Sequence, residues 1–155
     1  MHAGRLGTFL LLLLLLLGAL VGGCAATASP QPAAPRDVLT VTCDEFAAQS
    51  GGTTSEPLSR NVTVVPGESF RITLCSNAST GFSWEDPAIA GPANVSLVDH
   101  QTVPAATAMP GAPGTESFTF RAASAGTATI DFAYSRPWEG GEKGAWQVTV
   151  SVDSK

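Results

Sequence analysis

The side chains of this 155-residue chain that could do chemistry are few and scattered. Reactive sulfur occurs at Cys24, Cys43 and Cys75; acid–base material amounts to His100 beside Asp99 and to the adjacent carboxylates Glu85 and Asp86. A Ser-His-Asp arrangement would have to be built on His100, because the other histidine, His2, falls in an N-terminal stretch that reads as an export signal. His100 stands at a polar strand end and reads as a solvated residue. Glu85 and Asp86 precede Pro87 and read as the start of a turn, not as a catalytic carboxylate pair. A single histidine after the signal and no CxxC argue against a bound metal. The chain is read as a non-enzyme with no cofactor, and its remaining chemistry is that of contact.

Two stretches carry that contact chemistry. "CSNASTGFSW", from Cys75 to Trp84, packs Asn77, Ser79, Thr80 and Gly81 into a turn that resumes on the aromatics Phe82 and Trp84. "RPWEGG" presents Trp138 behind Pro137, whose fixed φ also restricts Arg136 to extended geometry, and follows it with flexible glycine. Trp and Arg dominate binding hot spots, so this is how an interface anchor is built. Trp138 folded back as a cap on the domain is the competing reading. Trp84 and Trp146 are in phase with strand interiors and are assigned to the core.

The elements that must position these loops follow from period-two patterns. Leu39 with Val41, Phe70 with Ile72 and Leu74, Phe118 with Phe120, Ile130 with Phe132 and Tyr134, and Trp146 with Val148, Val150 and Val152 each mark a half-buried strand. Shorter candidates are Val62 to Val65, Phe82 to Trp84 and Val95 to Val98, while "CDEFAAQS" allows at most one or two helical turns. Seven or eight short strands in one domain indicate an all-β, immunoglobulin-like antiparallel β-sandwich. In such a sandwich alternate connections emerge at one end. That brings Ser76 to Phe82, Val103 to Gly114 and Ser135 to Gly144 to a common surface.

Three cysteines in an exported chain leave an odd one. Arg5, the apolar run from Phe9 to Leu17 and the small residues Gly22 and Gly23 before Cys24 read as a bacterial lipobox. A transmembrane anchor is the alternative, but a span takes about 20 apolar residues and this run reaches that length only by counting its glycines. Residues 1–23 are thus expected to be a lipoprotein signal peptide and Cys24 the lipidated N-terminus. Residues 24–36, rich in Ala and Pro, are expected to be a tether, and residues 37–155 the domain. The expected location is the bacterial cell envelope, exported and lipid-anchored to the outer face of the membrane. With Cys24 at the anchor, Cys43 and Cys75 remain to form a disulfide. Cys43 shares a face with Leu39 and Val41, whereas Cys75 is out of phase with Phe70, Ile72 and Leu74. The bridge then requires a bulge or a strand ending at Leu74. Beyond the signal, seven basic residues face thirteen acidic ones, a formal charge of −6 with the basic residues scattered, which excludes the clustered basic face a nucleic acid needs.

"CSNASTGFSW" together with "YSRPWE" resembles the chagasin-type cysteine-protease inhibitors, whose first binding loop is Asn-Pro-Thr-Thr-Gly-Phe or Tyr and whose last carries Arg-Pro-Trp. The similarity spans about residues 38 to 152. It implies an immunoglobulin-like fold that inserts three adjacent loops into the cleft of papain-like proteases and blocks it reversibly. Carried across, the protease-binding positions are Asn77, Ser79, Thr80, Gly81, Phe82, Arg136, Pro137 and Trp138, and the expected partner is a papain-like cysteine protease met by a monomer. Ala78 stands where the family has Pro and Ser79 where it has the first Thr, which leaves the loop less stiff and raises the ordering cost of binding. The alternative is a non-inhibitory cell-envelope lipoprotein that uses the same loops to bind another protein, since a fold does not fix a function.

Overall fold

Alternation of apolar and polar side chains builds almost everything in the computed structural model, which describes residues 33–49, 56–107, 109 and 111–155. The expected signal peptide, Cys24 and all of the tether before residue 33 lie outside the described residues. Nine strands are present among those described: β1 (Arg36–Val41), β2 (Leu58–Val64), β3 (Ser69–Ser76), β4 (Ser83–Trp84), β5 (Ala88–Ala90), β6 (Val95–Val103), β7 (Gly114–Ala122), β8 (Gly126–Ser135) and β9 (Trp146–Ser154). One helix, α1 (Cys43–Gln49), follows β1, and a 3-10 turn covers Ala78–Thr80. No helix among the described residues is long and apolar enough to cross a membrane.

The strands form two sheets, one ordered β1-β3-β7-β6 and the other β2-β9-β8-β4, with β5 also on β8. Their inner faces meet in a core of Phe70, Ile72, Leu74, Phe118, Phe120, Ile130, Phe132, Val148 and Val150, all buried. Two features depart from the sequence expectation. Nine strands stand among the described residues, the three-residue β5 having no alternating pattern to mark it. The sheets are mixed, because β1 runs parallel to β3 and β2 parallel to β9. β1 and β2 are separated by α1 and lie in different sheets, so they cannot pair as a hairpin. Each instead occupies a sheet edge, and Arg36 Nη2 donates to the Thr63 carbonyl at 3.0 Å across the gap between them.

The turn from β1 into α1 is set by Thr42 and Glu45. The Thr42 N–H and hydroxyl donate to Glu45 Oε2 at 2.7 and 2.9 Å, and the Glu45 N–H points back to Thr42 Oγ1 at 3.4 Å, a reciprocal capping box. The helix carries Phe46 into the core, where its ring stacks on Trp146 at 4.7 Å. It also decides the disulfide. Cys43 and Cys75 are bonded, with their Cα atoms 5.1 Å apart. The strand-phase requirement is corrected: β1 ends at Val41, so Cys43 takes its direction from α1, and β3 continues through a buried Cys75 to Ser76 without stopping at Leu74.

Candidate functional site

Asn77 is the residue from which the first loop is built. It caps the 3-10 turn, its Oδ1 accepting from the Ser79 N–H at 3.2 Å and the Ser79 hydroxyl at 2.6 Å. Its carbonyl accepts from the Thr80 N–H at 3.1 Å and the Thr80 hydroxyl at 2.6 Å. This is the local bracing expected of an Asn at a turn. Gly81 closes the turn at φ 79°, in the left-handed region. Ala78, Ser79 and Thr80 are exposed at the tip. The Ser79 hydroxyl thereby ties the exposed tip back to Asn77.

The remaining contacts of Asn77 join the loops. Its N–H donates to Tyr134 Oη at 2.8 Å, anchoring the turn to β8, and its Nδ2 donates to the Gly111 carbonyl of the β6–β7 loop at 3.0 Å. On the other side, a Cβ on Gly81 would lie 2.7 Å from Cη2 of Trp138, so glycine there lets the indole of the β8–β9 loop lie directly against the first loop. Phe82 stacks on Tyr134 at 5.4 Å, and the Arg136 guanidinium lies 4.5 Å from the Phe82 ring centroid and 5.8 Å from that of Trp138. All three loops are therefore in contact, as the alternate-connection argument requires.

Within the β8–β9 loop, the Arg136 N–H donates to the Glu142 carbonyl at 2.8 Å and Lys143 Nζ to the Arg136 carbonyl at 2.9 Å, while Gly141 N–H closes on the Trp138 carbonyl at 3.1 Å. Arg136 is held inside the assembly, its Nε buried without a hydrogen-bond partner. Pro137 is exposed, and Trp138 remains 52 % exposed, so it is presented to solvent and not folded away as a cap. Met109 in the β6–β7 loop is 69 % exposed. Beside the first loop lies a concavity of about 320 Å³ lined by Asn77, Thr80, Phe82, Tyr134, Ala145 and Trp146.

Sequence reasoning missed the polar cluster beneath the loops. Glu116 on β7 is 4 % exposed, and its Oε1 accepts from the Ser76 hydroxyl at 2.6 Å and the Trp84 N–H at 3.4 Å. Its Oε2 is 2.8 Å from His100 Nε2. The signal was present, since Glu116 is in phase with Phe118 and Phe120 and must share their inward face. His100 is exposed, as its polar setting suggests, but it is also engaged by its neighbours. β6 extends to Val103, placing His100 opposite Phe118, on whose ring it stacks at 4.1 Å. Glu85 and Asp86 are exposed, and Glu85 pairs with Lys143 at 3.5 Å. No group of three or more His, Cys, Asp or Glu side chains that could hold a metal is present among the described residues.

The model of the chagasin family peptidase inhibitor I42 matches residues 63–152, which include all three loops. The chain belongs to this family of protease inhibitors. It is 37 % identical over 93 residues to chagasin of Trypanosoma cruzi, covering 57 % of this chain and 84 % of that protein. It is 33 % identical over 86 residues to amoebiasin-2 of Entamoeba histolytica, covering 54 % and 68 %. Among solved structures it is similar to the cysteine protease inhibitor EhICP2 of Entamoeba histolytica, with a TM-score of 0.50 at 25 % identity over 79 % of this chain and all of that one. PbICP-C, solved in complex with falcipain-2, shares the fold, with a TM-score of 0.52 at 15 % identity over 77 % of this chain and 99 % of that one. The family match begins within β2, so β1, α1 and Cys43 lie outside it.

Proposed function

We propose that this chain is a reversible, competitive inhibitor of papain-like cysteine proteases and fills their active-site cleft with the three loops. The observation that carries the reading is the joining of those loops through Asn77 to Gly111, Gly81 to Trp138 and Arg136 to Phe82. Loops already held in mutual register lose little freedom on binding, which is what a rigid insert into a cleft requires. Membership in a family of protease inhibitors and similarity to chagasin and EhICP2 support the target class. The exposed Ala78–Thr80 turn approaches the catalytic thiol, Trp138 supplies apolar area against the cleft wall, and Ser79, Gly81, Phe82, Arg136 and Pro137 shape or hold the surface around them. A folded 3-10 turn does not lay an extended peptide across the thiolate, so the inhibitor is released uncleaved.

Lipidation of Cys24 and display on the outer face of a bacterial membrane complete the reading, motivated by the small residues before Cys24 and the Ala/Pro-rich stretch after it. The test incubates the full chain in detergent with papain and a fluorogenic peptide. Apparent inhibition that weakens as substrate rises, with the chain intact on a denaturing gel, supports it. No inhibition at micromolar concentration favours the envelope-binding alternative.

A further inference from the structure

We infer that Glu116, buried behind the loops, is the positioning residue that sets the first loop against the middle one; this rests on the inhibitory reading above. One carboxylate reaches three elements. Oε1 holds Ser76, the residue before Asn77, and the main chain of Trp84, two residues after Phe82, so both roots of the first loop end on the same oxygen. Oε2 holds His100 on β6, the strand that leads into the middle loop, while Glu116 itself lies two residues into β7, where that loop ends. Trp84 is further fixed by its Nε1 donating to the Cys75 carbonyl at 2.9 Å.

Stability alone does not account for a carboxylate at this place. Taking a carboxyl group out of water is costly, and a buried polar network is often no more stabilising than an apolar cluster that replaces all of its members. The neighbours Leu74, Phe118 and Trp84 already supply an apolar setting. What an apolar side chain cannot supply is direction: hydrogen bonds fix Ser76 and Trp84 at defined distances, where dispersion contacts would leave the loop roots free to slide. Glu116 therefore fixes where Asn77 begins, and Asn77 in turn sets the bonds to Gly111 and Tyr134.

The test separates stability from inhibition using the full chain in detergent, papain and a fluorogenic peptide, with circular dichroism melting as the folding control. Glu116→Leu leaves the buried Ser76 hydroxyl and Trp84 N–H without their acceptor and is expected to melt below wild type, yet at a temperature where it is fully folded to inhibit about tenfold less well. Glu116→Gln keeps an acceptor for Ser76 and Trp84 and should recover most of the inhibition. Should Glu116→Leu fail to fold, Ser76→Ala decides, since it removes the contact at one loop root and is expected to weaken inhibition several-fold in a folded chain. A folded Glu116→Leu, or in its absence Ser76→Ala, that inhibits as wild type does overturns the positioning role while leaving the inhibitor reading intact. If wild type does not inhibit, the reading falls first and the inference with it.

Discussion

At one end of the sandwich the turns around Gly67, Pro92 and Ser124 are closed by main-chain hydrogen bonds: Gly67 N–H to Ala122 at 2.6 Å, Ala93 to Thr127 at 3.2 Å, Ala123 to Asn94 at 3.2 Å and Ser124 to Ala93 at 3.3 Å. At the opposite end the connections are longer and meet through side chains, Asn77, Tyr134, Arg136 and Trp138 each reaching into a neighbouring segment. Main-chain closure depends on backbone geometry and little on side-chain identity; side-chain closure makes the surface depend on a few particular residues. The same end leaves Trp138 and Met109 exposed, two large apolar side chains on the surface the three loops share.

The contrast can be broken from either side. Replacing Cys43 and Cys75 by Ser should have the largest effect, lowering stability by about 2–4 kcal/mol, because the bridge closes a long segment and ties α1 to the strand feeding the first loop. Denaturant titration reads the loss, and unreduced peptide mapping by mass spectrometry should show the two residues linked in wild type. Trp138→Ala should leave melting almost unchanged but weaken inhibition by about 2 kcal/mol, roughly thirtyfold. Gly91→Ala makes the reverse change at the other end. Its φ of 120° and a Cβ that would lie 2.5 Å from the Thr127 carbonyl should cost stability by about 1–2 kcal/mol while the inhibition constant stays put.

The smallest expected effect is electrostatic and lies at the turn into α1. The Thr42 N–H, then Arg60 and the Thr42 hydroxyl, hold the Glu45 carboxyl below its ordinary 4.5. A carboxyl depressed in the folded state contributes stability that is present above the unfolded value and lost as pH falls through the folded one. Glu45→Gln should therefore melt slightly lower near neutrality and show a shallower loss below pH 4.5, the difference being modest because the Glu45–Arg60 pair is about one-third exposed.

How much of this was legible follows from where each residue faces. Strands with one wet and one dry face announce themselves, and Phe70, Ile72, Leu74, Ile130, Phe132 and Tyr134 were all found by alternation. Beyond Leu97, β6 is exposed on both faces, so nothing in its sequence marks the extension to Val103, and with that extension the environment of His100 was hidden. The parallel pairing of β1 with β3 and of β2 with β9 is decided by which sheet edge remains free, a tertiary fact. The loop residues were legible as a motif, and the turn chemistry of Asn77 and Gly81 followed from residue type. That Arg136 would be spent joining loops, and that Glu116 would stand behind them, required the packing to be seen.

The most direct test asks whether the loops cover the catalytic thiol. The rate at which iodoacetamide alkylates papain reports access to that thiolate. With saturating full chain the expected result is a rate that falls with the fraction of enzyme bound, restored when Trp138→Ala replaces wild type at the same concentration. Alkylation at the free-enzyme rate while the complex is demonstrably formed would contradict insertion of the loops into the cleft.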